Sequence, residues 1–407
     1  MSQQHPGPAA RSPHHLVSSW RATVSGTCAS LVGIGLARFA CTPLLPAIIG
    51  AHWFGPSAAA YLGAANLAGY LAGALLGRPL AAAISMPTLL RGLMLLATVA
   101  FFACATPLSL PGFFVWRLPS GIAGGALMVL AAPAVLPHVA PARRGIASGA
   151  IFAGVGLGIA ASGTLVPLLL RQGLAAAWYG LGALSLLLTI VAWAGWPAGH
   201  EKPQAAGTHH HHAHRPGIRL RALYVEYALN AVGLVPHMLF LVDFVARGLG
   251  QGLDSGAQYW VLFGLGAVVG PVLSGHLADR TGFGPAVRLA FFVQACAVLL
   301  PALHTGTPGL IVSSLVIGAF TPGIVPLALG RIHELLPHDA SAQRAAWSTA
   351  TTGFALLQAA GAYGLTFVLT ASGGDYRLLF AIGAVAFALT LGIDLAVGVS
   401  AARRSVA

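Results

Sequence analysis

The sequence predicts an all-α integral membrane protein, with twelve transmembrane helices in two pseudo-symmetric six-helix bundles. Three observations support this fold class: the composition, the number of long apolar segments and an internal repeat. Of the 407 residues, 57% are hydrophobic and only 7% are charged. A soluble domain has about a quarter of its residues charged. Lipid must therefore cover much of the surface of this protein.

Twelve apolar segments are long enough to span a bilayer, which takes about 20 mostly apolar residues. Six precede and six follow the only sizeable polar insertion. Several are longer than the minimum, which indicates tilted or kinked helices. The approximate ranges are 22–49, 58–80, 88–106, 111–137, 145–170, 174–197, 219–246, 256–278, 286–304, 307–336, 342–371 and 377–399.

An internal repeat relates the two halves. Residues 61–77 align with 259–275 at an offset of 198, and the Leu-Pro-His at 136–138 recurs at 336–338 at an offset of 200. A nearly constant offset across separate helices indicates two six-helix repeats in parallel orientation, which is one arrangement known among secondary transporters.

Charge and tryptophan placement fix an orientation. With a cytoplasmic amino terminus, all Lys and Arg residues fall on the cytoplasmic side except Arg38, Arg117, Arg171, Arg247 and Arg377. This bias is the positive-inside rule. The eight tryptophans fall near predicted helix ends, which is typical of an aromatic belt at the lipid headgroups. We therefore predict a multi-pass protein of the bacterial inner membrane with both termini in the cytoplasm.

The predicted organisation has five parts. A disordered cytoplasmic segment (1–20) precedes the first bundle (21–197), a His-rich cytoplasmic linker (198–218) follows it, and the second bundle (219–400) ends in a short cytoplasmic tail (401–407). The histidines of the linker could chelate a divalent metal. No carboxylate or cysteine completes a defined site, so we predict no metal and no cofactor.

The loop after the eighth helix carries a motif. Gly275, Asp279, Arg280, Gly282 and Arg288 stand in a run, G-H-L-A-D-R-T-G-F-G-P-A-V-R, that resembles the G-x-L-A-D-R-x-G loop of the major facilitator superfamily (MFS). The resemblance implies an aspartate that caps a helix and pairs with arginine in the outward-open state. These five residues are our candidate conformational gate. The equivalent loop of the first half, Gly-Arg-Pro at 77–79, lacks the aspartate.

A narrower resemblance lies at the amino end. Residues 33–46, G-I-G-L-A-R-F-A-C-T-P-L-L-P, are similar to the first helix of the YbfB/YjiJ family within this superfamily, and 65–73 continue the likeness. Arg117 begins an R-x-x-x-G motif of the superfamily on the fourth helix. The resemblance implies the MFS fold, in which helices 1, 4, 7 and 10 line a central cavity.

Two arginines on cavity helices are the leading substrate-binding candidates. A charged side chain deep in the membrane is costly, so it is usually paired or placed in a cavity. Arg38, with Thr42 near the same face, and Arg117 together suit a carboxylate or another oxyanion. The alternative is that they pair with acidic residues or backbone carbonyls. Asn66, on the second helix, completes the amino-terminal set.

Helix 7 carries ionisable and polar residues. At 100° per residue, Glu226, Asn230 and His237 form one stripe, and Asp243 lies near the outer end. We predict that Asn230 and His237 bind substrate and that Glu226 and Asp243 couple transport to protons. The alternative for Glu226 is pairing with a nearby cytoplasmic arginine.

Helix 10 carries Thr321-Pro-Gly and Pro326, which predict a kinked or unwound helix with Thr321 beside the site. A simple hinge is the milder interpretation.

The sequence favours a secondary active transporter that works by alternating access. The cargo is a small organic solute, anionic in the leading interpretation, with protons as the coupling ion. The alternative is proton-coupled efflux of apolar or cationic compounds, and a receptor or assembly protein without transport activity also stays open. No P-loop is present, and neither HExxH nor paired acids of an intramembrane enzyme appear. We predict a monomer in the lipid bilayer that does not bind nucleic acid, because its basic residues lie between apolar segments.

Overall fold

The computed structural model describes residues 13–107, 109–140, 143–197, 217–303, 306–337 and 339–406. Within these ranges twelve helices are long and apolar enough to cross a membrane, which confirms the predicted number. They are α1 (Ser19–Gly50), α2 (Pro56–Ala83), α3 (Met86–Ala103), α4 (Leu110–His138), α5 (Ile146–Leu170), α6 (Leu174–Ala192), α7 (Ile218–Gly248), α8 (Gly252–Thr281), α9 (Phe283–Ala302), α10 (Gly306–Leu335), α11 (Ala345–Ala371) and α12 (Tyr376–Gly398).

Helical structure extends into both predicted terminal segments. The first helix begins at Pro13 and the last one ends at Val406. Residues 13–20, predicted as part of a disordered segment, are therefore helical and continue α1, and residues 401–406 continue α12. The His-rich linker lies outside the described residues except for its last two positions, where α7 begins at Ile218.

We call the side at which α1 begins and α12 ends the termini side, and the other the far side. The helices run alternately between these two sides.

The repeat is visible in the packing of α2 on α4 and of α8 on α10. A Cβ added to Gly69 would lie 2.1 Å from the carbonyl oxygen of Leu118, and one added to Gly266 would lie 2.2 Å from that of Leu315. Gly266 follows Gly69 by 197 residues, and Leu315 follows Leu118 by the same number. The offset in these helices is therefore 197 rather than the predicted 198. The halves are parallel repeats that share the same glycine-mediated contacts.

Two of the helices are not continuous α-helices. In α1, Leu31–Leu36 is π-helical and residues 37–40 form a turn before the helix resumes at Cys41. In α7, Pro236–Phe240 and Phe244–Gly248 are π-helical. Prolines in both helices remove backbone donors and leave carbonyl groups open to other partners.

Helix 10 is not unwound, although a kink at its prolines stays a prediction. The helix α10 is one continuous α-helix with Pro322 and Pro326 inside it. The hydroxyl of Thr321 donates to the Ile317 carbonyl oxygen at 2.8 Å, so it is used within its own helix. Close packing on α8 holds α10 in place, because Gly318 and Gly323 both approach that helix.

The aromatic-belt interpretation holds for only part of the tryptophans. Trp20 and Trp193 are exposed, whereas Trp178, Trp196 and Trp260 are buried. Trp260 of α8 donates a 3.0 Å hydrogen bond to Ser162 of α5, across the boundary between the two halves. Because these three tryptophans lie near helix ends, they were predicted to lie at the membrane interface. Packing against neighbouring helices buries their indoles instead.

The two halves contact each other toward the far side. Ser57 of α2 and Thr370 of α11 are hydrogen-bonded at 3.2 Å, and the rings of Tyr61 and Tyr363 lie 6.0 Å apart. On the other boundary, a Cβ on Gly163 would meet Val261 of α8. The far side is therefore closed.

The halves separate toward the termini side. Gly149 lies on the same face of α5 as Gly156 and Gly163, seven residues apart, and Gly275 continues the face of α8 that carries Val268. A Cβ on Gly156 would crowd Val268, yet a Cβ on Gly149 or on Gly275 would meet nothing within 4 Å. The helices α5 and α8 thus diverge, and the conformation is open toward the termini side.

Candidate functional site

The turn in α1 places Arg38 between the two halves. Its Nη2 donates a hydrogen bond to Oε1 of Gln358 on α11. Its Cζ lies 4.5 Å from the ring centroid of Tyr70 on α2 and 5.1 Å from that of Phe39. The Nε atom is buried and has no acceptor among the described residues. We call Arg38, Tyr70, Met238 and Gln358 the central cluster.

No carboxylate neutralises Arg38 in the described part of the chain. The ion pairs there are Arg247–Asp243, Arg288–Asp394 and Arg331–Glu334. The central cluster therefore carries an uncompensated positive charge beside two aromatic faces.

The π-helical turn of α7 supplies the other side of the central cluster. The hydroxyl of Thr42 donates to the carbonyl oxygen of Met238 at 2.6 Å, and Nε2 of Gln358 lies 3.5 Å from the Met238 sulfur. Thr42 is thus buried in a contact between α1 and α7. Its predicted role as a direct substrate ligand stays a hypothesis, and its visible role is to join the two discontinuous helices.

Aromatic side chains continue from the central cluster toward the termini side. Tyr227 of α7 packs against Phe354 of α11 with centroids 4.7 Å apart, and against Trp347 at 5.8 Å, with the ring planes tilted. The hydroxyl of Tyr227 also lies near that of Tyr70. These rings form an aromatic wall on the open side of Arg38.

The structure does not bring Arg38 and Arg117 together. The Asn66 amide donates to the carbonyl oxygens of Ala37 at 3.4 Å and of Arg117 at 3.2 Å, so Asn66 ties α1 to α4 through their backbones. The Arg38 side chain then reaches α11, whereas the buried Arg117 guanidinium lies close enough to the Cys104 thiol at the end of α3 for its charge to act on that group. In this conformation the two side chains have different partners, and binding of one anion by both arginines stays a prediction.

The polar stripe of α7 faces the interior of the second bundle. Asn230 donates to Gln294 of α9 at 3.2 Å, and Nε2 of His237 lies 2.7 Å from the Ser313 hydroxyl of α10. The Ser313 hydroxyl donates its single proton to the Ala297 carbonyl oxygen at 2.6 Å. Nε2 of His237 must therefore be protonated and donate to the Ser313 oxygen. Asn230 and His237 are both fully buried, and their predicted contact with substrate stays a prediction.

Asp243 lies in a closed network at the far side. Arg247 donates to both of its carboxylate oxygens, and the Tyr376 hydroxyl of α12 donates to Oδ2. Arg247 also donates to the Tyr376 oxygen at 2.8 Å. This network fastens the end of α7 to the start of α12 and gives Asp243 a structural role, while its predicted proton-coupling role stays a prediction.

Glu226 opens into a cavity at the termini side of the second bundle. The cavity has a volume of about 160 Å³ and lies between α7, α9, α10 and α12. Glu226 makes no hydrogen bond or ion pair with the described residues, although its carboxyl interacts electrostatically with Asp394, Arg331 and Arg288. The alternative of a direct pair with Arg219 or Arg221 is not realised in this structure.

The gate candidates have partners that differ from those implied by the resemblance. Gly282, with φ of 80°, makes the sharp turn between α8 and α9. Asp279 and Arg280 are exposed and have no ion pair with described residues. Glu334 of α10 instead accepts from the Phe283 amide at 3.0 Å, and Arg288 pairs with Asp394 at 2.6 Å. The termini side is open here, so any latch across the halves is released.

Sequence reasoning missed four members of the site region. Tyr70 lies within the 65–73 stretch but had no predicted role, and Met238, Gln358 and Tyr227 were not singled out. Gln358 is the only amide in the apolar run of α11, and that isolation could have marked it as a site residue. Its partner, however, lies 320 positions away and is visible only after folding.

The sequence profile of the family described as "Uncharacterised MFS-type transporter YbfB" matches residues 30–395. The chain belongs to this family. The YbfB-type chain is therefore a multi-pass membrane transporter with the MFS fold, as the sequence predicted, and not an enzyme. No curated protein matches it in sequence.

Solved structures share the fold at low sequence identity. A point mutant of the nucleoside transporter NupG has a TM-score of 0.74 at 15% identity, with 92% of this chain and 99% of that chain covered. A D-xylose-proton symporter has a TM-score of 0.71 at 16% identity, covering 92% and 97%. A bacterial homolog of the human lysosomal transporter Spinster, in an inward-facing and unoccupied conformation, has a TM-score of 0.63 at 15% identity, covering 95% and 96%. At such identities the likeness is one of fold alone.

Proposed function

We propose that this YbfB-type transporter carries a small organic anion through the central cluster by alternating access, as a monomer in the bacterial inner membrane. The observation that supports this most directly is Arg38, a guanidinium between the halves with no carboxylate partner among the described residues. A carboxylate can accept two parallel N–H donors from such a group.

The shape of the molecule supports the transport cycle. The halves touch at the far side, whereas α5 and α8 diverge at the termini side, so the boundary between the halves is open on one side only. With the positively charged termini side in the cytoplasm, this is an inward-facing conformation. The central cluster joins α1 and α2 of one half to α7 and α11 of the other, which lets bound solute bias their relative position.

The test is ligand binding by purified protein in detergent, read as thermal stabilisation across a panel of mono- and dicarboxylates, aromatic carboxylates, sugars and organic cations. We expect carboxylates to stabilise the native protein. Arg38→Gln should weaken the affinity for the best carboxylate by about 10- to 100-fold, since a charge-assisted hydrogen bond contributes about 1.5–3 kcal/mol. Arg171→Gln, which removes an exposed guanidinium at the far side, should leave binding unchanged.

Two results would contradict the proposal. One is stabilisation by cations or neutral solutes without any carboxylate. The other is equal carboxylate affinity in the native protein and in Arg38→Gln.

We further propose that Glu226 binds the coupling proton. Its carboxyl is buried yet lines a cavity on the termini side, where Arg219, Arg288, Arg331 and Asp394 face the same space. In proteoliposomes loaded with the best carboxylate, Glu226→Gln should abolish the acceleration of transport by a pH gradient while leaving carboxylate exchange intact. Asp254→Asn, at an exposed carboxylate, is the control. Persistent gradient dependence in Glu226→Gln would refute this assignment.

Efflux of apolar or cationic compounds has less support. It was motivated by Glu226 and Asp243, but Asp243 is bound by Arg247 and Tyr376, and Glu226 lies among three arginines away from Arg38. A role as a receptor or assembly protein has no feature in its favour beyond the fold.

A further inference from the structure

Arg117 is a buried cation that the transport proposal leaves without a function. The residue is 2% exposed, and its Nε and Nη2 atoms are buried without an acceptor in the described part of the chain. None of the ion pairs there includes it. A buried guanidinium is strongly unfavourable unless negative charge or hydrogen-bond acceptors compensate it.

The residues placed near Arg117 are uncharged. Phe113, one turn earlier on α4, packs against Trp53, Phe54 and Trp178 with centroid distances of 5.9, 5.1 and 6.0 Å. The indole N–H of Trp178 is also buried, and it has no acceptor among the described residues. The Cys104 thiol lies close enough to Arg117 for the guanidinium charge to act on it, and a thiol is only a weak hydrogen-bonding group. Oδ1 of Asn66, whose amide nitrogen donates to the Arg117 carbonyl oxygen, is an unpartnered acceptor.

We propose that the first bundle holds a small inorganic monovalent anion, of the halide class, against the Arg117 guanidinium. Water alone would accept the free N–H groups but would leave the positive charge uncompensated. A halide supplies both the acceptor and the charge. The near-complete burial of Arg117 restricts the occupant to a small ion.

This anion site is separate from the central cluster. Asn66 holds the Arg117 backbone to that of Ala37, while the two arginine side chains reach different helices. The anion would therefore stabilise α4 and the turn of α1 that carries Arg38, without contacting transported solute. The inference does not depend on the proposed substrate class.

The test measures thermal unfolding of the full-length protein in lipid nanodiscs at constant ionic strength, with sodium gluconate replaced stepwise by sodium chloride, bromide or sulfate. We expect a saturable rise in Tm with chloride and bromide and none with sulfate, because a ligand that binds only the native state stabilises it by mass action. Arg117→Gln should lose the response. Arg38→Gln and Arg171→Gln should keep it, which separates this site from the carboxylate site.

A second measurement covers the case in which Arg117→Gln does not fold. Crystals of the native protein grown in sodium bromide should show an anomalous scattering peak within about 3.5 Å of the Arg117 guanidinium nitrogens. The proposal is overturned by a Tm that rises equally with all salts or without saturation, by a response that survives in folded Arg117→Gln, or by bromide peaks found only elsewhere.

Discussion

Replacing Gly73 or Gly270 by alanine is expected to destabilise the protein severely. The two residues are counterparts at the repeat offset of 197, on α2 and α8. A Cβ at Gly73 would lie 2.0 Å from the Ile122 carbonyl oxygen, and one at Gly270 would lie 1.9 Å from the Ala319 carbonyl oxygen. Both obstacles are backbone atoms of a packed helix, so neither can rotate away.

The helix pair must separate to admit the methyl group. Overpacking of this kind costs about 3 kcal/mol or more, and we expect each variant to lower Tm by at least about 5 °C or to fail to accumulate in the membrane. Fluorescence-detected size exclusion and thermal unfolding in detergent provide the measurement. The same loss of stability in both halves would confirm that the α2–α4 and α8–α10 pairs share one packing arrangement.

Gly92→Ala is the matched control. Gly92 lies inside α3, is exposed, and has nothing within 4 Å of an added Cβ. Since alanine is the better helix former by about 1 kcal/mol, this variant should be as stable as the native protein or more so. Native stability of Gly73→Ala and Gly270→Ala would show that α2–α4 and α8–α10 are not packed as described.

A disulfide between α2 and α11 at the far side is expected to stop transport completely. The hydroxyl oxygens of Ser57 and Thr370 lie 3.2 Å apart, so cysteines at these positions can approach the S–S bond length of about 2.05 Å with little backbone movement. The bond would hold the far side closed, and alternating access requires that side to open. Transport by Ser57→Cys/Thr370→Cys should cease on oxidation and return on reduction.

The experiment needs a clean background and a control pair. Cys296 is exposed and is first replaced by serine, whereas Cys28, Cys41 and Cys104 are buried. Uptake of the best carboxylate into proteoliposomes measures transport, and gel mobility measures cross-linking. The pair Gly149→Cys/Gly275→Cys should cross-link poorly without ligand, because α5 and α8 diverge there. Undiminished transport with the far-side pair fully oxidised would contradict the rocking of the two halves.

The number and the approximate positions of the helices followed from local composition. Twelve apolar segments had to become helices in lipid, where every backbone group needs a partner within its own segment. The irregularities did not follow in the same way. Proline and glycine predicted a kinked or unwound α10, which is not unwound, whereas the turn in α1 and the π-helical turns of α7 were not predicted. Contacts with other helices decide whether a proline breaks a helix.

For the charged residues, too, the sequence predicted one part and the tertiary structure decided the other. Sequence alone marked Arg38, Arg117, Glu226 and Asp243 as unfavourable in a membrane, because the free-energy cost of a charge there depends on its depth. It could not tell a free charge from a paired one. Tyr376, which completes the Asp243 network, is 133 residues distant, and Gln358 reaches Arg38 across the boundary of the halves.

The fold class, the two parallel halves and the family were therefore determined by the sequence itself, since they depend on hydropathy, periodicity and short motifs that lie within single segments. Tertiary structure decided that Arg38 stands between the halves, that Arg117 and Asp243 do not join it, and that the termini side is open. Those facts depend on which side chains meet across helices far apart in the chain, and no local pattern specifies that.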